Sequence, residues 1–115
     1  MNAPEVVRRY AATLLDAAEE TNVLDTVRED VQGLLETLSN SQELNEFLSN
    51  PLIGSEVQDR TLVAIFDGKV QMLTRNFLSL IAQRRRANSL VPILSAFTEM
   101  VEEREGILSA EDVSA

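Results

Sequence analysis

The chain has 115 residues, enough for one domain with its own core, and carries a net charge of −9 with no cysteine and no histidine. These values exclude disulfide and thiolate chemistry, remove the commonest general base and zinc ligand, and disfavour nonspecific nucleic-acid binding, which needs a basic face. No apolar run approaches the ~20 residues that span a bilayer, and no signal or transit segment is recognisable, so we expect a cytosol-like compartment.

Apolar residues recur at spacings of three and four along most of the chain, which is the pattern of helices with one buried face. In chain order, the pattern predicts helices over residues 2–20, 23–38, 41–48, 55–66, 69–85 and about 89–106. No segment before residue 107 has the alternation typical of a strand. We therefore predict an all-α fold, a compact six-helix bundle with a short irregular tail over 107–115.

The first two predicted helices each have a continuous apolar stripe. That of the first is formed by Val7, Ala11, Leu14 and Ala18. That of the second follows a 3-4 repeat, formed by Leu24, Val27, Val31, Leu34 and Leu38, which is typical of a bundle seam. Gly33 inside the second helix costs roughly 1 kcal/mol relative to alanine. We interpret it as a point where another helix packs closely.

Polar residues and glycines predict the helix boundaries. Asn40 with Glu43 fits a capping box for the third helix, and Ser55 with Gln58 fits one for the fourth. The predicted ends of the fourth and sixth helices are Gly68 and Gly106.

The segment 76–86, NFLSLIAQRRR, ends the most apolar predicted helix. Phe77, Leu80 and Ile81 lie on one stripe, and Leu78 falls outside it, so the helix is apolar around more than half its circumference. Such a helix is either central to a bundle or partly exposed and open to a partner.

Acidic side chains are plentiful, but no arrangement indicates catalysis. The adjacent pairs Glu19-Glu20, Glu29-Asp30 and Glu102-Glu103 point in different directions on a helix and are typical of a solvated face. A carboxylate metal site of the Glu-x-x-His kind needs histidine, and no glycine-rich phosphate loop occurs. We predict no catalytic residue, no metal and no cofactor.

The only cluster of basic residues is Arg84, Arg85 and Arg86. Cations at a helix C-terminus are favoured by the macrodipole and can pair with nearby acids. Alternatively, the three arginines contact an acidic segment of a partner protein. The sequence leaves both interpretations open.

Two polar residues also have two interpretations each. Tyr10 fits an aromatic at the edge of the core with its hydroxyl in water, and Asn76 fits a helix residue bonded locally. Alternatively, a groove between the first and fifth helices uses both beside apolar anchors to hold a partner helix.

Several short motifs together resemble a known family. In order they are Arg9-Tyr10-Ala11, Phe47-Leu48-Ser49-Asn50-Pro51 and Asn76-Phe77-Leu78-Ser79-Leu80, followed by the spaced residues Arg86, Leu90, Ile93 and Phe97. Their order and spacing resemble the delta subunit of bacterial and chloroplast rotary ATP synthase, whose mitochondrial counterpart is the oligomycin-sensitivity-conferring protein. The resemblance covers essentially the whole chain, and the ending, 110–115, resembles the passage into a second domain.

The resemblance implies a non-catalytic stator role in proton-driven ATP synthesis, peripheral to the cytoplasmic side of an energy-transducing membrane, either a bacterial cell membrane or a thylakoid. It implies that residues 1–106 form the domain that binds N-terminal helices of α subunits. A second domain, of which 107–115 would be the start, would bind the b-subunit stalk. The implied groove residues are Tyr10, Thr13 and Leu14 on the first helix, with Ala17 as a neighbour, and Asn76, Leu80 and Gln83 on the fifth.

The chain departs from the family pattern at two places. Many relatives have alanine at the position of Thr13, so the groove is expected to be narrower or more polar there. Many have glycine-arginine at the positions of Arg85 and Arg86.

Two other functions compete with the stator role. One is an unrelated helical adaptor that self-associates. The other is an enzyme using carboxylates and arginine, which the absence of histidine, cysteine and a phosphate loop disfavours.

Overall fold

Six α-helices and one 3₁₀ turn form the computed structural model, which describes the backbone of residues 4–114 and the side chains of residues 5–106. The elements are α1 (Pro4–Glu20), α2 (Leu24–Ser39), α3 (Gln42–Ser49), α4 (Ser55–Phe66), α5 (Met72–Gln83), the 3₁₀ turn Ala87–Ser89 and α6 (Leu90–Ser114). No strand occurs over 4–114. The Cα radius of gyration is 14.7 Å, close to the value of about 13 Å expected of a compact domain of this length. The predicted all-α six-helix bundle is confirmed.

Helix α5 has the wide apolar surface that the sequence predicts, and most of that surface faces the core. Phe77 and Ile81 on the main stripe are 5% and 0% exposed, and Leu78 outside the stripe is also 0% exposed. Helix α4 packs along α5, whereas α1 packs mainly along α6 and less extensively against α5. Phe97 of α6 is the largest fully buried side chain. Helix α5 is therefore central on one side and open to solvent on the other.

The predicted stripes of α1 and α2 are buried, but Gly33 is not a packing point. Ala11, Leu14 and Ala18 of α1 are buried, as are Val27, Val31, Leu34 and Leu38 of α2. Gly33 is exposed, and a Cβ atom added there meets no atom within 4 Å. The interpretation of Gly33 as a close-packing residue is therefore wrong, because it lies on the solvent side of α2.

Both predicted capping boxes differ from the structure. The cap of α3 is Ser41, whose Oγ accepts a hydrogen bond from the backbone N–H of Leu44 at 3.1 Å, while Asn40 ends α2. Ser55 lies inside α4, whose N-cap is Gly54 without a side-chain bond. The sequence alone placed each cap one residue away, because neighbouring Asn, Ser and Gly residues all suit an N-cap.

Helix α5 is shorter than predicted at both ends. The segment after α4 turns at Gly68, which has a φ of 78° as predicted for a helix stop, and α5 begins only at Met72. The N-terminal end is stabilised by Gln71, whose side chain accepts a bond from the backbone N–H of Leu73 at 2.7 Å.

The C-terminal end of α5 is a Schellman motif with arginine in the left-handed position. Arg85 has a φ of 60°, and its N–H donates to the carbonyl of Ala82 at 3.0 Å. The N–H of Arg86 donates to the carbonyl of Ile81 at 2.9 Å. This left-handed position at the end of a helix is the one that glycine favours.

Helix α6 continues past its predicted end. Pro92 lies in the first turn, as expected, but the backbone is helical through Gly106 to Ser114. The predicted end at Gly106 is wrong because glycine weakens a helix by about 1 kcal/mol but does not by itself stop one. The predicted tail, 107–115, falls outside the described side chains.

Three ion-pair contacts tie α6 to its neighbours near residue 105. Arg104 contacts Glu19 of α1 at 2.5 Å and Asp16 of α1 at 3.8 Å, and Arg28 of α2 contacts Glu105. The hydrogen bond to Glu19 raises the pKa of Arg104 above its ordinary value. These side chains are 31–67% exposed, so water screens the pairs and their contribution to stability is small.

Candidate partner-binding groove

The outer faces of α1 and α5 each present a stripe at helical spacing, and the two helices are neighbours. On α1 the stripe consists of Val6, Tyr10, Thr13 and Ala17, each half-buried or exposed. On α5 it consists of Leu73, Asn76, Leu80 and Gln83, also half-buried or exposed. Spacings of three and four residues place each set on one face of its helix. Six of the seven predicted groove residues therefore lie on these two stripes.

The exception is Leu14, for which the groove prediction is wrong. Its side chain is 1% exposed and belongs to the main core cluster. On the helical wheel Leu14 lies between the stripe of Tyr10 and the buried stripe of Ala11. Tertiary packing against the neighbouring helices places it on the inner side.

Leu80 is the largest apolar side chain of the two stripes that has no place in the core. Its side chain is half-buried. Among the described apolar side chains, it is neither in the core cluster nor among those packed against that cluster. Leu73, two stripe positions earlier on the same face, does pack against the core. Leu80 therefore adds little to the core and is available to a partner.

Tyr10 has the character of an aromatic at the edge of the core. It is half-buried and packs against the core cluster. This partial exposure is compatible with both the core-edge interpretation and the groove interpretation.

The polar groove residues are bonded within the protein. The hydroxyl of Thr13 donates to the carbonyl of Arg9 at 2.9 Å, which leaves its methyl group to add apolar surface. The side-chain oxygen of Asn76 accepts from the guanidinium of its neighbour Arg75 at 3.4 Å, so the predicted local bond is confirmed.

Gln83 turns toward α4 instead of α1. Its amide nitrogen donates to Asp59 of α4 at 3.0 Å and to the hydroxyl of Ser79 at 3.2 Å. A partner in the groove would have to compete with Asp59 for this amide.

Sequence reasoning missed Val6 and Leu73 as members of the two stripes. Val6 is half-buried and lies four positions before Tyr10, and Leu73 lies three positions before Asn76. The same helical spacing that identified the other positions would have found both. With them, both stripes carry apolar groups.

The arginine cluster lies beyond the end of α5. Arg84, Arg85 and Arg86 are all exposed, and no carboxylate of the described side chains approaches within ion-pair distance. Over residues 5–106 the structure therefore contradicts the interpretation that they pair with nearby acids. Arg85 lines a cavity of about 310 Å³ shared with the α3–α4 loop, away from the α1–α5 groove.

Other kinds of site lack the groups that they would need over the described part of the chain. No cluster of three acidic side chains among residues 5–106 is placed to hold a metal ion. Within that part, no helix combines the length and the apolar character needed to cross a membrane.

Comparison with known proteins identifies the family. Residues 6–115 match the family model described as ATP synthase delta (OSCP) subunit. Proteins named ATP synthase subunit delta from Chlorobaculum parvum and Chlorobaculum tepidum are 40% and 39% identical over 115 residues, all of this chain and 64% of each relative. The protein of that name from Thermosynechococcus vestitus is 37% identical over 111 residues, 96% of this chain and 60% of the relative.

The chain thus spans less than two thirds of the length of these relatives, but the family match covers nearly all of the chain itself. The motifs that carry the resemblance lie on α1, at the end of α3 and on α5, and the match extends across all of them. The chain belongs to the ATP synthase delta (OSCP) subunit family.

Proposed function

We propose that this chain is the head-binding domain of a non-catalytic stator subunit in a rotary ATP synthase, and that its α1–α5 groove binds an N-terminal helix of an α subunit. The observation that carries this proposal is the position of Leu80. It lies half-buried on the outer face of the central helix without packing against the core. An amphipathic helix laid along the groove would cover it.

The physical demands of a stator suit this groove. A stator holds the catalytic head against rotational torque, which needs a stable joint without turnover. A rigid bundle with an apolar groove can bind a helix that is disordered when free. One bound helix would bury about 1,200 Å² in total, the size of a small specific interface. Apolar groups on both walls supply the anchors, and Tyr10 offers the aromatic character common at such centres.

The rest of the proposed role concerns the portion of the relatives that lies outside the match. This chain covers 64% of the length of the relative from Chlorobaculum parvum. We propose that the remainder carries the contact with the b-subunit stalk. The whole subunit would then link the head to the stalk, peripheral to the cytoplasmic side of the energy-transducing membrane. In that role it supports proton-driven ATP synthesis without an active site or cofactor.

Titration calorimetry tests the groove. The chain is titrated with a peptide of the first about 25 residues of the α subunit from the same organism, enough for about seven helical turns. We expect saturable one-to-one binding. In Leu80→Asp, binding should be lost because a charge would be buried against apolar groups of the partner. The matched control is Val91→Asp, since Val91 is an aliphatic residue of α6, 37% exposed and outside the groove.

Each outcome of this titration has a defined meaning. Loss of binding in Leu80→Asp with retention in Val91→Asp supports the groove, provided that circular dichroism shows both variants folded. Unfolding of Leu80→Asp alone would show that Leu80 belongs to the core. Absence of binding by the folded wild-type chain contradicts the proposal. Light scattering on the same samples detects a dimer, and one that Leu80→Asp dissociates would favour the self-associating adaptor.

A further inference from the structure

A second surface with unsatisfied groups lies where the α3–α4 loop meets the turn after α5. We call this surface the arginine corner and define it by the turn 50–53, Gln58 and the arginines 84–86. Residues 48–55, Gln58, Arg85, Ala87 and Asn88 line a cavity of about 310 Å³ there. The corner is distinct from the α1–α5 groove, and nothing below depends on that groove.

An ordered turn presents a leucine to solvent at this corner. Leu52 is 91% exposed, the most exposed large apolar side chain among those described. The backbone N–H of Leu52 donates to the side-chain oxygen of Asn50 at 2.9 Å, and the N–H of Ile53 donates to the carbonyl of Asn50 at 3.2 Å. These two bonds hold the turn, so Leu52 is displayed on a formed backbone. Preorganisation of this kind lowers the entropic cost of binding.

The opposite wall of the cavity is basic. Arg85 lines it, Arg84 and Arg86 are the neighbours of Arg85 in sequence, and none of the three pairs with a carboxylate of the described side chains. This is unusual in a chain with 19 acidic and 10 basic residues. The Schellman motif after α5 fixes the backbone of Arg85, so its side chain starts from a defined position at the cavity rim.

The floor of the cavity offers a hydrogen-bond acceptor. Gln58 is 6% exposed, and its amide nitrogen donates to the carbonyls of Phe47 at 3.3 Å and Leu48 at 3.2 Å. Its side-chain oxygen accepts no hydrogen bond from the described residues and is not fully buried, and Gln58 itself lines the cavity. A peptide N–H is a donor that suits this oxygen.

We propose that the arginine corner docks an extended acidic segment of a partner protein. A carboxylate of the segment contacts Arg85, a backbone N–H bonds the oxygen of Gln58, and an apolar side chain covers Leu52. The charge complementarity is local, because an acidic peptide meets three unpaired guanidinium groups while the acidic remainder of the surface repels it from other positions.

Two other occupants fit the corner less well. One is a later segment of the same chain. Helix α6 begins beside the corner at Leu90 and is 25 residues long, so a segment that follows it would start about 36 Å from the corner. An extended anionic surface, such as a membrane or nucleic acid, would also face the acidic remainder of a protein with a net charge of −9. A short peptide can contact the corner without facing the acidic remainder of the surface.

The test is an NMR titration of the ¹⁵N-labelled chain at low salt with a short peptide of glutamates carrying two leucines. We expect amide shifts clustered over residues 48–58 and 84–88 that saturate and weaken steeply as salt shortens the range of electrostatic attraction. The same peptide with serines in place of the leucines should bind more weakly. Shifts clustered elsewhere, or no shifts, would overturn the proposal. The proposal would also be overturned if vesicles containing phosphatidylserine produced the same shifts more strongly than the peptide.

Variants separate the corner from the general charge of the chain. Arg85→Gln should weaken peptide binding about ten-fold, since it removes a charge-assisted hydrogen bond. Leu52→Ser should weaken it about five-fold through lost apolar contact. Arg8→Gln is the matched control, an exposed arginine of α1 without an ion pair, and should change binding less than about two-fold. Equal effects of Arg85→Gln and Arg8→Gln would contradict the proposed site.

A glycine variant removes the concern that Arg85 matters only for folding. Arg85→Gly relaxes the left-handed backbone and keeps the Schellman motif, so the fold is retained while the guanidinium group is lost. Weaker peptide binding by this variant supports the corner. Unchanged binding by the folded variant would overturn the role of Arg85.

Discussion

One oxygen of Asp30 joins α2 to the start of α5. Its Oδ2 accepts a hydrogen bond from the hydroxyl of Thr74 at 2.9 Å and another from the backbone N–H of Gln71 at 2.7 Å. Thr74 is 0% exposed, so its hydroxyl would otherwise be buried without a partner. Asp30 of α2 therefore caps the start of α5, although it lies 41 residues before Gln71 and 44 residues before Thr74. This contact fixes where the central helix begins.

Replacing Asp30 should consequently destabilise the fold. We expect Asp30→Ala to lower the free energy of unfolding by about 2 kcal/mol, because a charged acceptor is lost and two donors are left without it. Urea denaturation followed by circular dichroism measures the change. Glu29→Ala is the matched control, since Glu29 is the exposed neighbour. A loss in Glu29→Ala equal to that in Asp30→Ala would assign the effect to general charge.

Thr74→Val tests the same contact from the other side. Valine keeps the volume but removes the hydroxyl, and we expect a loss of about 1 kcal/mol. In a double-mutant cycle the two substitutions should be non-additive, because each removes the same bond. Strict additivity would show that Asp30 and Thr74 do not interact in solution.

Gly33→Ala should stabilise the protein by about 1 kcal/mol. The added methyl meets no atom within 4 Å, and alanine is the better helix former. Gly68→Ala is the opposite case, because Gly68 has a φ of 78° and alanine would be strained there. Thermal unfolding of both variants checks this, and destabilisation by Gly33→Ala would show that a partner or a neighbouring helix does occupy that face.

Arg85→Gly should raise the free energy of unfolding by about 0.5–1 kcal/mol. Relief of the strain in the left-handed conformation stabilises the folded state by more than the extra entropy of glycine stabilises the unfolded chain. Asn22 ends α1 in the same conformation, with a φ of 60°, and asparagine tolerates it well. Asn22→Gly should therefore change stability less, and the difference between the two variants isolates the strain at Arg85.

A pair of leucines tests the division between core and groove. Leu14→Ala should cost about 2–5 kcal/mol because it opens a cavity at a site that is 1% exposed. Leu80→Ala removes the same atoms from a half-buried site outside the core cluster and should cost less than about 1 kcal/mol. Similar losses in both variants would place Leu80 in the core and contradict the groove.

The sequence by itself determined the helices, the buried stripes and the family. Spacings of three and four residues are a local property of a helix, so the stripes of α1 and α2 and the wide apolar surface of α5 could be read directly. The ordered motifs from Tyr10 to Phe97 depend only on the order of residues along the chain. Neither the stripes nor the family resemblance required knowledge of how the helices pack against one another.

Tertiary structure decided which apolar positions face inward and which polar groups meet. Leu14 and Leu80 are the same residue type on apolar faces of their helices, yet only Leu14 is buried, because burial depends on where the neighbouring helices lie. The bond between Asp30 and Thr74 and the shared cavity of Leu52 and Arg85 join residues more than 30 positions apart. Local propensity carries no information about such pairs, since only packing of the whole chain brings them together.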